Sequence, residues 1–204
     1  IGEVSFWYRD IGGAPAQRPP LDGDCTADVC IVGAGYTGLW TAYYLKKADP
    51  SLNVVIVERN FAGFGASGRN GGWLTGGFAW NHGRYLKDSS ESAVRAMVGA
   101  MNGTVAEVLR VTEAEGIEAD ILPTDELMVA TNPAQLIRMK EETEHRRHWG
   151  EEDRVFEISA EEANARVRVP GTLGGMLVRG VARVQPAKLV RGLAAVVEKL
   201  GVRI

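Results

Sequence analysis

Cysteine is scarce: Cys25 and Cys30 are the only two in 204 residues. Two cannot frame a disulfide-dependent fold, and their spacing is not that of a metal site, so Cys30 is expected as a small buried residue of a strand. Long apolar runs are missing too. No stretch approaches the ~18 residues that a membrane helix needs, and no charged segment followed by an apolar core opens the chain. Neither a membrane span nor a signal peptide is read, and a cytoplasmic location is the default expectation. A basic excess is also absent: 23 Lys and Arg stand against 26 Asp and Glu, a formal net charge of −3. That leaves no electrostatic footprint for nucleic acid. With 45% hydrophobic and 24% charged residues, the composition is that of an ordinary globular protein.

Glycine is abundant, and its placement is informative. The apolar run Val29-Cys30-Ile31-Val32 breaks into Gly33-Ala34-Gly35-Tyr36-Thr37-Gly38, a G-x-G-x-x-G spacing followed by helix-forming residues. Gly33 permits a tight strand-to-helix turn, Gly35 lets the backbone approach a pyrophosphate, and Gly38 lets the helix pack against the strand. The N-terminus of that helix offers free N–H groups and a positive dipole end to phosphate. Gly38, Ala42 and Leu45 share one helical face. A second apolar run, Val54-Val55-Ile56-Val57, ends at Glu58, about twenty residues after Gly38, where an acidic side chain accepts from ribose hydroxyls. The acid at 58 disfavours a 2′-phosphate, so NADP fits least among the dinucleotides. An ordinary glycine turn in a parallel α/β unit is the competing reading.

The next segment separates NAD from FAD. Seven glycines fall between Gly63 and Gly77, interleaved with Phe64, Arg69, Asn70 and Trp73. A flexible linker would be dominated by Gly and Ser, so this composition reads as backbone pressed against a ligand. Three stretches, ADVCIVGAGYTGLWTAYYL at 27–45, VIVERNFAGFGASGRNGG at 55–72 and ARVQPAKLVRGLA at 182–194, resemble the D-amino-acid-oxidase-like FAD-dependent oxidoreductases, in the branch that includes gamma-glutamylputrescine oxidase. The GASGRNGG element is the most specific of them. Ser5-Phe6-Trp7-Tyr8 and the lead-in at 19–24 are similar to that branch as well.

The resemblance implies an α/β fold: an FAD-binding Rossmann-like βαβ domain of the glutathione-reductase type, with part of an α+β substrate domain. Residues 1–80 would begin the FAD domain, 81–180 would belong to the substrate domain, and 181–204 would return a helix and strand to the first. That fold takes about twice the length present, so the chain, which starts at Ile1, reads as the N-terminal part of a longer one. Gly33, Gly35 and Gly38 would carry the FAD pyrophosphate, Glu58 and Arg59 would meet the adenosine half, and Ala66, Ser67, Gly68, Arg69, Asn70, Gly71 and Gly72 would run toward the flavin. Arg69 and Asn70 are the side chains expected to touch it. The loop holds no histidine and the nearest downstream is His82, which favours non-covalent FAD. The implied reaction is oxidation of a C–N bond in a small amine or amino acid, with hydride passing to flavin and the imine then hydrolysing.

Elsewhere the patterns are structural. Met97, Met101, Val105 and Val108 have helical spacing within 89–115, with Gly99 and Gly103 suggesting a close crossing or a break. Runs at 117–122 and 126–131 read as a hairpin or paired strands around Pro123-Thr124-Asp125. Asn132 and Pro133 open a helix, Ser159 to Glu162 form a capping box, and Pro186 opens a last helix with a Leu189, Leu193, Val196, Leu200 stripe. His145 and His148 sit among alternating charges and read as part of a solvated helix rather than a metal site. Trp73, Trp80 and His82 follow the glycine loop, where packing or anchoring is the expected role, and no residue is assigned to catalysis. An NAD-dependent dehydrogenase and a non-catalytic dinucleotide-binding module stand as the alternatives.

Overall fold

A computed structural model describes residues 4–77 and 81–204. The chain divides into two units. The first comprises Ile1–Trp73, Arg110–Ile121 and Val184–Ile204; the second comprises Leu74–Leu109 and Leu122–Arg183. Trp80, named above, lies outside the described residues.

In the first unit, the short helix α1 (Phe6–Asp10) precedes a parallel pair, β1 (Val29–Val32) and β2 (Val54–Val57), joined through α2 (Tyr36–Ala48). Val29 faces Val54 and Val32 faces Val57, so both strands end level with each other. A parallel pair needs such a crossover, and the helix covers one sheet face. Arg203 forms a parallel bridge with Val55 on the outer side of β2. The last helix, which becomes α7 below, covers this unit with Leu189, Leu193 and Val196, all buried as their spacing predicted.

Cys30 departs from expectation: it is exposed. Residues alternate across a strand, and the Val29 and Ile31 side of β1 is the side that α2 covers. Cys30 and Val32 lie on the opposite face, where Val32 is 85% exposed.

The second unit is built on a four-stranded sheet of β3 (Trp73–Leu74), β4 (Leu122–Ala130), β5 (Val155–Ile158) and β6 (Gly174–Arg183). β6 is central, antiparallel to both β4 and β5. α5 (Pro133–Arg146) and α6 (Ala160–Arg166) pack on the sheet; the remaining helices are α3 (His82–Leu86), α4 (Glu91–Ala114) and α7 (Pro186–Lys199). Ala130, Met139, Val155, Met176, Val178 and Val181 form the core. Asn132 caps α5 by accepting from Gln135 N–H, and Ser159 with Glu162 makes the capping box of α6.

Two local readings are corrected. The runs at 117–122 and 126–131 are not a hairpin. Residues 122–130 form one strand that pairs with the distant β6, and the residues before it carry no ladder. The Pro-Thr-Asp signal marks an irregularity: the register shifts between Thr124 and Glu126, where Arg179 and Gly180 of β6 oppose Asp125 alone. Gly180 takes φ +74°, as such a bulge requires, and Arg154 donates to its carbonyl at 3.0 Å. Pro123 is tolerated because β4 is an edge strand. Likewise α4 runs unbroken through Gly99 and Gly103, and nothing lies within 4 Å of where their side chains would be. Its buried positions include Val94, Val98, Val105 and Val111, whereas Met97 is 46% exposed. The glycines sit on the outer face of the helix.

After α5 the chain continues into a π-helical turn, Arg147–Glu151, closed by Gly150. Glu151 is buried and accepts from Arg146 at 2.8 and 2.9 Å and from Asn102 of α4 at 3.1 Å. Burial alone would raise its carboxyl pKa, but the Arg146 guanidinium and the Asn102 amide more than reverse this and hold it below the usual range. A depressed carboxylate stabilises the fold above its unfolded pKa and loses that contribution as pH falls through the folded value. Chemical denaturation should therefore show wild-type stability declining below about pH 4.3. Glu151→Gln should cost about 3 kcal/mol at neutral pH and flatten that decline. Equal acid profiles for the two proteins would refute the role given to Glu151.

Candidate dinucleotide site

The glycine motif sits where β1 gives way to α2. Gly33 takes φ +98°, and its N–H donates to Val57 O at 2.8 Å, tying the ends of β1 and β2 together. A side chain at Gly38 would overlap the carbonyl of Gly33 and touch Ile31, so glycine alone allows the helix this close to the strand. Gly35 caps α2 with no side chain to offer. Of the first N–H groups of the helix, that of Tyr36 donates to Ser67 Oγ at 2.9 Å. Those of Gly35, Thr37 and Gly38 have no protein acceptor among the described residues.

Glu58 leaves the end of β2 half-buried. Its two oxygens accept from Ala34 N–H and Asn60 N–H, each at 2.9 Å. A carboxylate has about four lone-pair positions, so two remain. Beside it opens a cavity of about 310 Å³, lined by Glu58, Arg59 and Asn60 on one side and Gln17, Arg18 and Pro20 on another.

The segment after Glu58 folds back on the motif. Gly63 N–H donates to Ala34 O at 2.9 Å, and Ala66–Gly68 makes a single 3₁₀ turn that sets Ser67 over the start of α2. The polar side chains of Arg69 and Asn70 are spent largely inside this loop. Arg69 Nε donates to Phe64 O at 2.6 Å and its guanidinium lies 4.4 Å over the Phe64 ring. Asn70 donates to Ala66 O and Ser67 O and accepts from Gly72 N–H at 2.9 Å. Gly71 and Ala66 are exposed, and Gly72 O receives Val184 N–H.

The structure thus gathers Gly33, Gly35, Gly38, Glu58, Ser67 and Asn70 into one bonded constellation, with Arg59 at its cavity. The residues behind it were noted in the sequence only as a family resemblance, with no role in the site. Ser5 Oγ donates to Gly68 O at 3.1 Å, Trp7 Nε1 to Asn70 O at 2.7 Å and the Tyr8 hydroxyl to Ala62 O at 3.4 Å. Burial pushes the Tyr8 phenol up to about 12, so it stays a neutral donor at physiological pH. No local pattern announces such pairings across some sixty residues.

Two other candidates stand apart. Trp73 is 75% exposed, neither core nor anchor. His82 is buried in the second unit, its Nδ1 2.9 Å from His145 Nε2 and its ring stacked on Trp149 at 4.8 Å. His145 therefore belongs to an aromatic cluster rather than to a simply solvated face. Among the described residues no three His, Cys, Asp or Glu side chains are grouped to hold a metal ion, and no helix is long and apolar enough to cross a membrane.

The Gly38 contact makes a direct prediction. Gly38→Ala should push α2 away from β1, cost about 1–3 kcal/mol in urea denaturation and speed amide exchange across residues 34–38. Unaltered exchange there would mean that the contact is slack.

A family model for FAD dependent oxidoreductases, DAO, matches residues 28–204. Gamma-glutamylputrescine oxidoreductase of Escherichia coli K12 is 32% identical over 202 residues, which is 98% of this chain and 46% of that protein. Among solved structures, glycine oxidase of Bacillus cereus superposes with TM-score 0.64 at 19% identity, over 88% of this chain and 46% of its own. L-alpha-glycerophosphate oxidase of Mycoplasma pneumoniae, with FAD bound, gives TM-score 0.69 at 20% identity, over 89% and 44%. The chain thus spans less than half the length of these proteins. The nicotinamide alternative is not favoured, because the match is to an FAD-dependent family over nearly the whole chain. By that match, and by the turn, helix and acidic strand end on which its sequence converges, this chain belongs to the DAO family of FAD dependent oxidoreductases.

Proposed function

We propose that the protein acts as an FAD-dependent oxidoreductase on the C–N bond of a small amine or amino acid, and that its FAD is held without a covalent bond. The observation that carries this reading is the unused set of N–H groups at the start of α2, flanked by Glu58 on one side and the Ser67 turn on the other. A pyrophosphate at this point would receive N–H donors from Gly35, Thr37 and Gly38 together with the helix dipole. The two free lone-pair positions of Glu58 suit the ribose diol, and the neighbouring cavity by Arg59 suits the adenine end. Beyond the pyrophosphate, the 66–72 loop offers the backbone N–H groups of Ser67 and Gly71 as further donors.

Bound FAD supplies the hydride acceptor for oxidation of the carbon next to nitrogen. The residues named above bind and orient the cofactor, and none of them is assigned a catalytic role. Non-covalent attachment is supported by the loop itself, since 62–72 contains neither histidine nor cysteine, and His82 is stacked on Trp149 in the other unit. The amine class is supported by the relative of E. coli, whose name specifies gamma-glutamylputrescine, and by the glycine oxidase fold.

The purified protein should absorb near 370 and 450 nm, roughly the flavin values for this cofactor class, and acid precipitation should release the colour to the supernatant. Colour kept in the pellet would contradict non-covalent binding. Glu58→Gln replaces one acceptor by an NH₂ facing a backbone N–H, and should weaken FAD binding at least about tenfold in a fluorescence titration. Undiminished affinity would argue against Glu58 as the ribose acceptor.

A further inference from the structure

The family match begins at residue 28, yet residues 4–20 make some of the most specific contacts of the first unit. This segment is pinned at both ends to α7. Gln185, at the N-cap of α7, donates through Nε2 to Trp7 O at 2.9 Å and Asp10 Oδ2 at 3.3 Å. Near the other end of the same helix, Glu198 accepts Arg18 in a bidentate pair at 2.6 and 2.7 Å. Between these anchors the segment touches both halves of the candidate site. α1 takes the Gly68, Asn70 and Ala62 carbonyls, and Tyr8 fills the space that side chains at Gly63 and Gly68 would need. Residues 17–20 wall the cavity beside Glu58.

The direction of one donor follows from this. In a trans peptide, C=O and N–H point to opposite sides. With Asn70 O held by Trp7 at 2.7 Å, the N–H of Gly71 is turned away from α1, and it has no acceptor among the described residues.

We infer that residues 4–20 are a retention strap for the dinucleotide, in which Trp7, from behind the pyrophosphate loop, positions the Gly71 N–H and Arg18, through Glu198, holds the wall of the adenosine end. The inference rests on the dinucleotide reading above. Trp7 and Arg18 are positioning residues, acting through the loop and the wall.

The test follows FAD release from the purified protein by the rise in flavin fluorescence, with ADP binding by calorimetry as a probe of the adenosine half alone. Trp7→Phe removes the donor and should speed FAD release about tenfold while ADP affinity stays within about twofold. Arg18→Gln should weaken ADP and FAD alike, about threefold, as should salt added to the wild type. The reversed pair, Arg18→Glu with Glu198→Arg, should restore wild-type affinity. A merely structural role would lower thermal stability without this split between probes. If Trp7→Phe does not fold, Arg18→Gln and the reversed pair decide the matter. Wild-type release rates in both variants of an FAD-binding protein would overturn the strap. A wild type that binds neither FAD nor ADP would overturn the dinucleotide reading, and the strap with it.

Discussion

Everything in the first unit follows from one close approach, the carbonyl of Gly33 against the bare α-carbon of Gly38. Because no side chain intervenes, α2 starts directly above the end of β1. Its N-terminal N–H groups then lie level with the end of β2, where Glu58 emerges. Glu58 reaches back to Ala34 N–H, and Gly63 N–H reaches Ala34 O. One residue, Ala34, is thereby held through both of its flanking peptide groups, and the loop at 59–72 inherits its position from it. A helix set even one ångström further out would leave the Tyr36 N–H beyond reach of Ser67.

What the sequence made legible was whatever depends on neighbours in the chain. The βαβ unit was readable because Val29 to Glu58 carries strand, turn, helix, strand and acid in order, each specified by local periodicity. The caps at Asn132 and Ser159 were readable for the same reason, since a cap is a bond over three residues. Strand pairing was not: β4 looked like half of a hairpin because Pro123-Thr124-Asp125 is turn chemistry, and only the distant partner β6 shows that it marks a bulge. Gly99 and Gly103 misled because a glycine in a helix signals nothing by itself unless a neighbour is pressed against it.

The candidate site divides the same way. Gly33, Gly35, Gly38 and Glu58 announced themselves by spacing. Arg69 and Asn70 were expected to touch the cofactor; in the structure their bonds run mainly to the carbonyls of their own loop, which they brace. Ser5, Trp7 and Tyr8 carried a family resemblance but, like Arg18, no sign of their bonding partners, because a hydrogen bond from a tryptophan to a backbone carbonyl sixty residues away leaves no periodic trace. The exposure of Cys30 had the same cause: alternation along a strand says that two faces differ, not which one is covered.

The division of the first unit into three separated stretches bears on how the chain assembles as it is made. β1, α2 and β2 are adjacent in sequence and meet early. Arg203, which bridges the outer side of β2, and α7, which covers the unit, are synthesised only after the whole of the second unit. At about 5–20 residues per second the βαβ core waits roughly six to thirty seconds for them. During that interval both stretches of the second unit, Leu74–Leu109 and Leu122–Arg183, are made. The first unit is thus started before the second and completed after it.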